Sequence, residues 1–147
     1  MILSAQSIRK RCVDSKLIDP FCERTYQFGL SYGLGPASYD FRIAQDVSLY
    51  PGCFVKASTV EHFNIPHDLC GVIYDKSTWA RRGLSLFNTV FDPGFRGYAT
   101  LELVNLSTYQ LEIKSGMAIG QIEFQLLDEP TEQPYNGKFQ DQPQGPQ

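Results

Sequence analysis

A mainly β domain, opened by one short helix and closed by a polar tail, is what this sequence predicts, on three observations. Short apolar runs recur between turn signals at roughly 8–12-residue spacing, the cadence of an all-β sandwich or barrel. Helical spacing of apolar residues is confined to residues 2 to 17, where Ile8, Cys12 and Val13 would share a face behind a Ser4 N-cap. After Asp128 the chain turns to Gln, Pro, Gly and acidic residues with little that could pack. Residues 1–128 are therefore expected to form the domain, and 129–147 a flexible tail.

Taken in order, Pro20 disfavours continuation of the helix, and a Gly- and Tyr-rich loop leads to Gly33-Leu34-Gly35-Pro36. Tyr39, Phe41 and Ile43 then alternate with Asp40 and Arg42, a strand pattern in which Asp40 goes against β-propensity. Asp40 fits a turn cap, a partner for Arg42, or a functional role. Turn signals at Tyr50-Pro51-Gly52, Asn64-Ile65-Pro66 and His67-Asp68 bound β-like runs at 53–57 and 71–74. Leu111-Glu112-Ile113 and the stretch from Met117 to Leu127 supply further strands.

At 147 residues with 42% hydrophobic content, the chain can bury one proper core. A net charge of −3 disfavours generic binding of a nucleic-acid polymer. No segment approaches the roughly 18 apolar residues of a membrane span, and the N-terminus lacks the order of a signal peptide, so a cytoplasmic protein is expected. Cys12, Cys22, Cys53 and Cys70 form no C-x-x-C pair and read as reduced, buried small hydrophobes. With His62 and His67 the only histidines, neither a zinc cluster nor the H-x-E and P-C-x-x-C of the zinc deaminases is present.

Chemistry concentrates between Lys76 and Glu102. Lys76, Ser77, Thr78 and Arg81 are donors suited to phosphate oxygens. Asp92-Pro93-Gly94 is a turn signal. The run from Tyr98 to Val104 alternates, placing Thr100, Glu102 and Val104 on one face and Ala99, Leu101 and Leu103 on the other. By pattern alone Glu102 also fits a solvent-facing residue on a half-exposed sheet. In the tail, Tyr135, Lys138 and Phe139 are two aromatics and a cation of the kind that could stack on a base and reach a phosphate.

These segments resemble the dCTP deaminase branch of the trimeric dUTPase superfamily, nearly end to end. M-I-L-S with L-I-D-P-F resembles the family's N-terminal helix and the segment after it. P-A-S-Y-D-F-R-I (36–43) resembles its first nucleotide motif. K-S-T-W-A-R-R-G (76–83) is similar to the phosphate motif R-S-S-x-A-R-x-G. D-P-G-F-R-G-Y-A-T-L-E-L-V-N (92–105) resembles the active-site motif, and P-Y-N-G-K-F-Q-D-Q (134–142) the closing tail.

The resemblance implies a distorted β-barrel or jelly-roll of the dUTPase-like (β-clip) type with a C-terminal lid; the short chain fits either a compact viral form, which would work in a host's cytoplasm, or a form with a trimmed tail. It implies Glu102 as general acid/base, Ser77 and Arg81 positioning water and the tetrahedral centre, and Asp92 near the sugar, though Asp92 also fits a plain turn residue. Lys76, Thr78, Gln121 and Lys138 would contact phosphates, with Tyr135 and Gln142 in the lid. The reaction implied is zinc-independent conversion of dCTP to dUTP, with Mg²⁺ carried by the triphosphate, dTTP as a feedback ligand, and a homotrimer. A bifunctional enzyme giving dUMP and pyrophosphate, a dUTPase, and a catalytically silent nucleotide-binding regulator are the alternatives. The chain departs from the family where Lys76 replaces an Arg, and where the 83–92 loop, with Asn88, Thr89 and Val90, is shorter and differs in sequence.

Overall fold

The computed structural model describes residues 1–87 and 89–147; Asn88 lies outside the described residues. Helix α1 (Ala5–Ser15) follows Ser4 at its N-cap, buries Ile8 and Cys12, and ends where Lys16 turns left-handed. The helix therefore stops four residues before Pro20, through its own C-terminal turn. Strands follow in the order β1 (Ile18–Asp19), β2 (Thr25–Gln27), β3 (Leu30–Leu34), β4 (Tyr39–Arg42), β5 (Val47–Leu49), β6 (Phe54–Asn64) and β7 (Leu69–Asp75). A one-turn helix α2 (Ser77–Ala80) comes next, then β8 (Leu84–Leu86), β9 (Val90–Phe91), β10 (Arg96–Asn105), β11 (Leu111–Ile113) and β12 (Ala118–Leu126).

These strands make three curled sheets of a distorted barrel, ordered β1-β6-β10-β8, β11-β5 and β2-β3-β4-β12-β7-β9. Phe41, Phe63, Phe91, Leu101, Leu103 and Phe124 fill the space between them, with Phe41 and Phe63 edge to face at 6.4 Å. Along β10, buried and half-buried residues alternate strictly from Gly97 to Asn105. Alternation on a pleated strand is what sends Leu101 and Leu103 into the core and leaves Thr100 and Glu102 on the outer face.

Three expectations need correction. The Gly- and Tyr-rich loop contains a hairpin, β2 on β3, turned at Phe28 and Gly29, whose φ values of 54° and 71° fit a two-residue turn with both central residues left-handed. A second helix exists: α2 is anchored by Trp79, which is 2% exposed and whose indole N–H donates to the Ala118 carbonyl at 2.7 Å. Of the four cysteines only Cys12 is buried, and burial pushes its thiol up to about 11 against an opposing hydrogen bond from the Ile18 backbone; Cys53 is exposed.

Asp40 does not pair with Arg42. Arg42 instead donates through Nε and its backbone N–H to the fully buried Glu61, at 2.8 and 2.9 Å. Asp40 accepts from the Lys76 ammonium at 2.6 Å. Adjacent strand residues point to opposite faces, so Asp40 and Arg42, both on β4, share one face and take different partners from elements packed over it.

Candidate active site

The D-P-G turn is built by the residues that need it. Asp92 accepts from the Phe95 N–H at 3.0 Å, Pro93 occupies the second position, and Gly94 at φ 90° the third, a type II turn. The turn delivers Asp92 to the rim of a cavity of about 230 Å³. Glu102 and Thr100 from β10 line its floor, with Phe91, Phe95 and Val90 forming an apolar wall. Tyr135, Phe139 and Gln142 from the tail complete it.

Glu102 is half-buried, and no hydrogen bond or ion pair engages its carboxylate among the described residues. Its cross-strand neighbour is Lys56 on β6, whose ammonium donates to the Gln147 carbonyl. The side chain of Asp92 is exposed and likewise uncommitted. Two free carboxylates thus meet in a cavity walled by aromatic rings, an arrangement that can hold a flat ring and move protons at its edge.

The tail is laid down against this cavity. Tyr135 N–H donates to the Pro93 carbonyl at 2.7 Å, and its ring meets Phe95 edge-on at 5.8 Å. Gln140 Nε2 donates to the Gly94 carbonyl at 2.8 Å. Gln142 forms a parallel bridge with Gly97 and is 9% exposed. Arg96 forms a two-bond ion pair with Asp141, its Nη2 at 2.9 Å from Oδ2. The Arg96 guanidinium holds the Asp141 carboxyl below its ordinary range. Glycine makes the fit: a Cβ on Gly97 would lie 2.8 Å from the Gln142 nitrogen, and one on Gly94 2.7 Å from Pro134 Cβ. Lys138 is exposed, with its ammonium 5.4 Å from the Phe139 ring centre.

The remaining expected residues lie elsewhere. Lys76, Ser77, Thr78, Arg81 and Gln121 are not part of the cavity wall. Ser77 and Thr78 on α2 and Arg81 at its C-cap are exposed, and their side chains have no partner among the described residues. Lys76, expected as a phosphate contact, is 7% exposed and holds Asp40 and, at 3.3 Å, Ser31 Oγ. Gln121 accepts from Ser38 and donates to the Asp75 carbonyl, on the wall of a separate depression with Ala37 and Tyr74. The structure therefore brings Asp92, Glu102, Tyr135 and Gln142 together in one cavity, whose lining does not include Ser77, Thr78 or Arg81. Phe91, Phe95 and Thr100 were not foreseen; the alternation that singled out Glu102 already placed Thr100 on its face.

A family model described as dCTP deaminase-like matches residues 42–127. The dCTP deaminase of Campylobacter fetus is 32% identical over 168 positions, covering 92% of this chain and 90% of that protein. The chain belongs to the dCTP deaminase-like family. A dCTP deaminase of Sulfurovum is 30% identical with similar coverage, 92% and 89%. Since 168 aligned positions exceed the 147 residues available, these family members carry segments that this chain lacks. Among solved structures, the 2′-deoxycytidine 5′-triphosphate deaminase of Agrobacterium tumefaciens matches with a TM-score of 0.69 at 17% identity, over 85% of this chain and 47% of that one. The dUTPase of EIAV matches at 0.58 and 19%, over 69% and 85%. At such identities the structural likeness speaks for the fold, and the family rests on the sequence matches. Among the described residues, no group of three or more His, Cys, Asp or Glu side chains is placed to hold a metal ion, and no helix is long and apolar enough to cross a membrane.

Proposed function

We propose that this chain is a hydrolytic dCTP deaminase forming dUTP and ammonia, with Glu102 as its general acid/base. The observation that carries this is the uncommitted Glu102 carboxylate on the floor of an aromatic-walled cavity. Glu102 takes a proton from water, whose oxygen bonds to C4 of the base. That proton passes to N3, and the proton of the new C4 hydroxyl is then carried by Glu102 to the exocyclic nitrogen, so that the C4 carbonyl forms as the C4–N bond breaks and ammonia leaves. A base within hydrogen-bond reach of the water is the geometric requirement, and a carboxylate without internal partners meets it.

Ser77 and Arg81 are the donors we assign to the water and the developing tetrahedral centre, where charge appears only in the transition state. Thr78 and the tail Lys138 contact the triphosphate, Gln121 lies toward the phosphates, and Mg²⁺ arrives on them, retaining waters of its own. Because the α2 donors and the cavity are separate within one chain, the complete site is formed in a homotrimer, with α2 of one subunit facing the Glu102 cavity of the next. Exposed Phe54 and Phe87, stacked at 5.9 Å beside this face, suit burial against a neighbour. Feedback by dTTP at the same site and a cytoplasmic location belong to this proposal.

Asp92 in the same cavity favours a second reading, a bifunctional enzyme that goes on to cleave dUTP. Chromatography of products from dCTP and from dUTP, each with Mg²⁺, separates the two. The proposal expects dUTP from dCTP and no cleavage of dUTP. Appearance of dUMP and pyrophosphate would establish the bifunctional reading, cleavage of dUTP alone a dUTPase, and survival of both nucleotides a silent binder.

A further inference from the structure

Around Gln142 one hydroxyl proton on the cavity lining is left without an acceptor among the described residues. Gln142 Nε2 donates to the Tyr98 carbonyl at 2.7 Å and to Thr100 Oγ1 at 3.0 Å. A backbone carbonyl can only accept, so the amide orientation is fixed and both Nε2 hydrogens are committed. Thr100 Oγ1 is therefore an acceptor in this contact, and its own O–H must point elsewhere. Among the described residues that hydroxyl has no acceptor within the chain, and Thr100 lines the cavity.

Thr100 and Glu102 are two residues apart on one strand face, so their Cα atoms are separated by about 6.6–6.8 Å. A six-membered ring with exocyclic substituents can bridge the two side chains. Val90, Phe91 and Phe95 in the same cavity are apolar and suit the ring itself better than a charged phosphate.

Resting on the nucleotide reading above, we propose that Thr100 is a substrate-contacting residue: its hydroxyl, oriented by Gln142, donates to the exocyclic 2-oxo oxygen of the bound pyrimidine. A 2-oxo group is common to cytosine and uracil, so this contact anchors the ring without choosing between them. Gln142 acts through Thr100 as a positioning residue, which couples closure of the tail to recognition of the ring.

The test is equilibrium binding of dUTP and 2-thio-dUTP, with Mg²⁺ replaced by EDTA, to the unaltered protein, Thr100→Val and Thr100→Ser. Sulfur is the weaker acceptor. The unaltered protein should bind dUTP about tenfold more tightly than the thio analogue, the worth of one well-placed hydrogen bond. Thr100→Val should lose that factor on dUTP and bind the two nucleotides equally, and Thr100→Ser should restore the preference. Equal loss on both nucleotides would mean a structural role only and would overturn the proposal. So would unchanged dUTP affinity in Thr100→Val, or an unaltered protein that does not distinguish oxygen from sulfur, a readout independent of any variant's folding. If the unaltered protein bound neither nucleotide, the nucleotide reading would fall and this inference with it.

Discussion

Lys76 shows how one residue can match a motif and still be held for another purpose. In sequence it heads a row of phosphate donors; in the fold its ammonium lies 2.6 Å from Asp40 with 9% of its side chain exposed, against 16% for the carboxylate. A mostly buried pair contributes little over an apolar alternative, but breaking it strands a charge. Lys76→Met should destabilise the protein by about 3 kcal/mol, with Lys76→Met/Asp40→Leu recovering much of that loss. Chemical denaturation of the four species measures the coupling; a neutral Lys76→Met would leave the lysine free for phosphate. Sequence showed both Lys76 and Asp40 as unusual, yet pairing across residues 36 apart depends on β4 and the start of α2 meeting in space. Glu102 was legible because strand alternation is local. Thr100 sat on the same face unnoticed, since its significance depends on Gln142 arriving from the tail.

Among elements, the tail departs furthest from its composition. Residues 129–147 look unable to pack, and they bury little apolar surface. They are held instead by backbone bonds to the D-P-G turn, by Gln side chains and by the Arg96–Asp141 pair. The D-P-G-F-R-G glycines, which sequence presents as turn formers, are also the places where the tail lies against the backbone. Gly97→Ala should raise KM by about tenfold by displacing Gln142, with a near-native melting temperature because the core strands stay paired. An unchanged KM would show that tail docking is irrelevant to binding. The ion pair adds a pH dependence. The hydrogen bond from Arg96 lowers the pKa of Asp141 when the tail is docked, so its contribution is full above the ordinary carboxylate range and is lost as pH falls through the lowered value. Limited pepsin digestion at acid pH should therefore release the tail before the domain. Added salt should have the same sense at neutral pH, since the pair is exposed.

The barrel as a whole was legible from turn spacing and alternation, which are properties of neighbouring residues. Its sheet order was not, because β10 pairs with β6 and β12 with β4 and β7 across long separations. Ser77, Thr78 and Arg81 do not line the Glu102 cavity of their own chain, which is the reason for proposing a trimer that closes the site between subunits. The 168-position alignments exceed the 147 residues of the chain, so the family members it matches carry segments that it omits.

If, as proposed, Glu102 performs the chemistry with donors supplied by a neighbouring subunit, co-expression of two inactive variants restores activity. Glu102→Gln and Arg81→Ala, each alone, should lower dCTP turnover by at least about a hundredfold. Random mixed trimers should recover about a quarter of full activity, because one site in four combines an intact Glu102 with an intact Arg81. Full activity in Glu102→Gln alone would remove it as the base. Mixed trimers as inactive as either parent would place both residues in a site within one subunit.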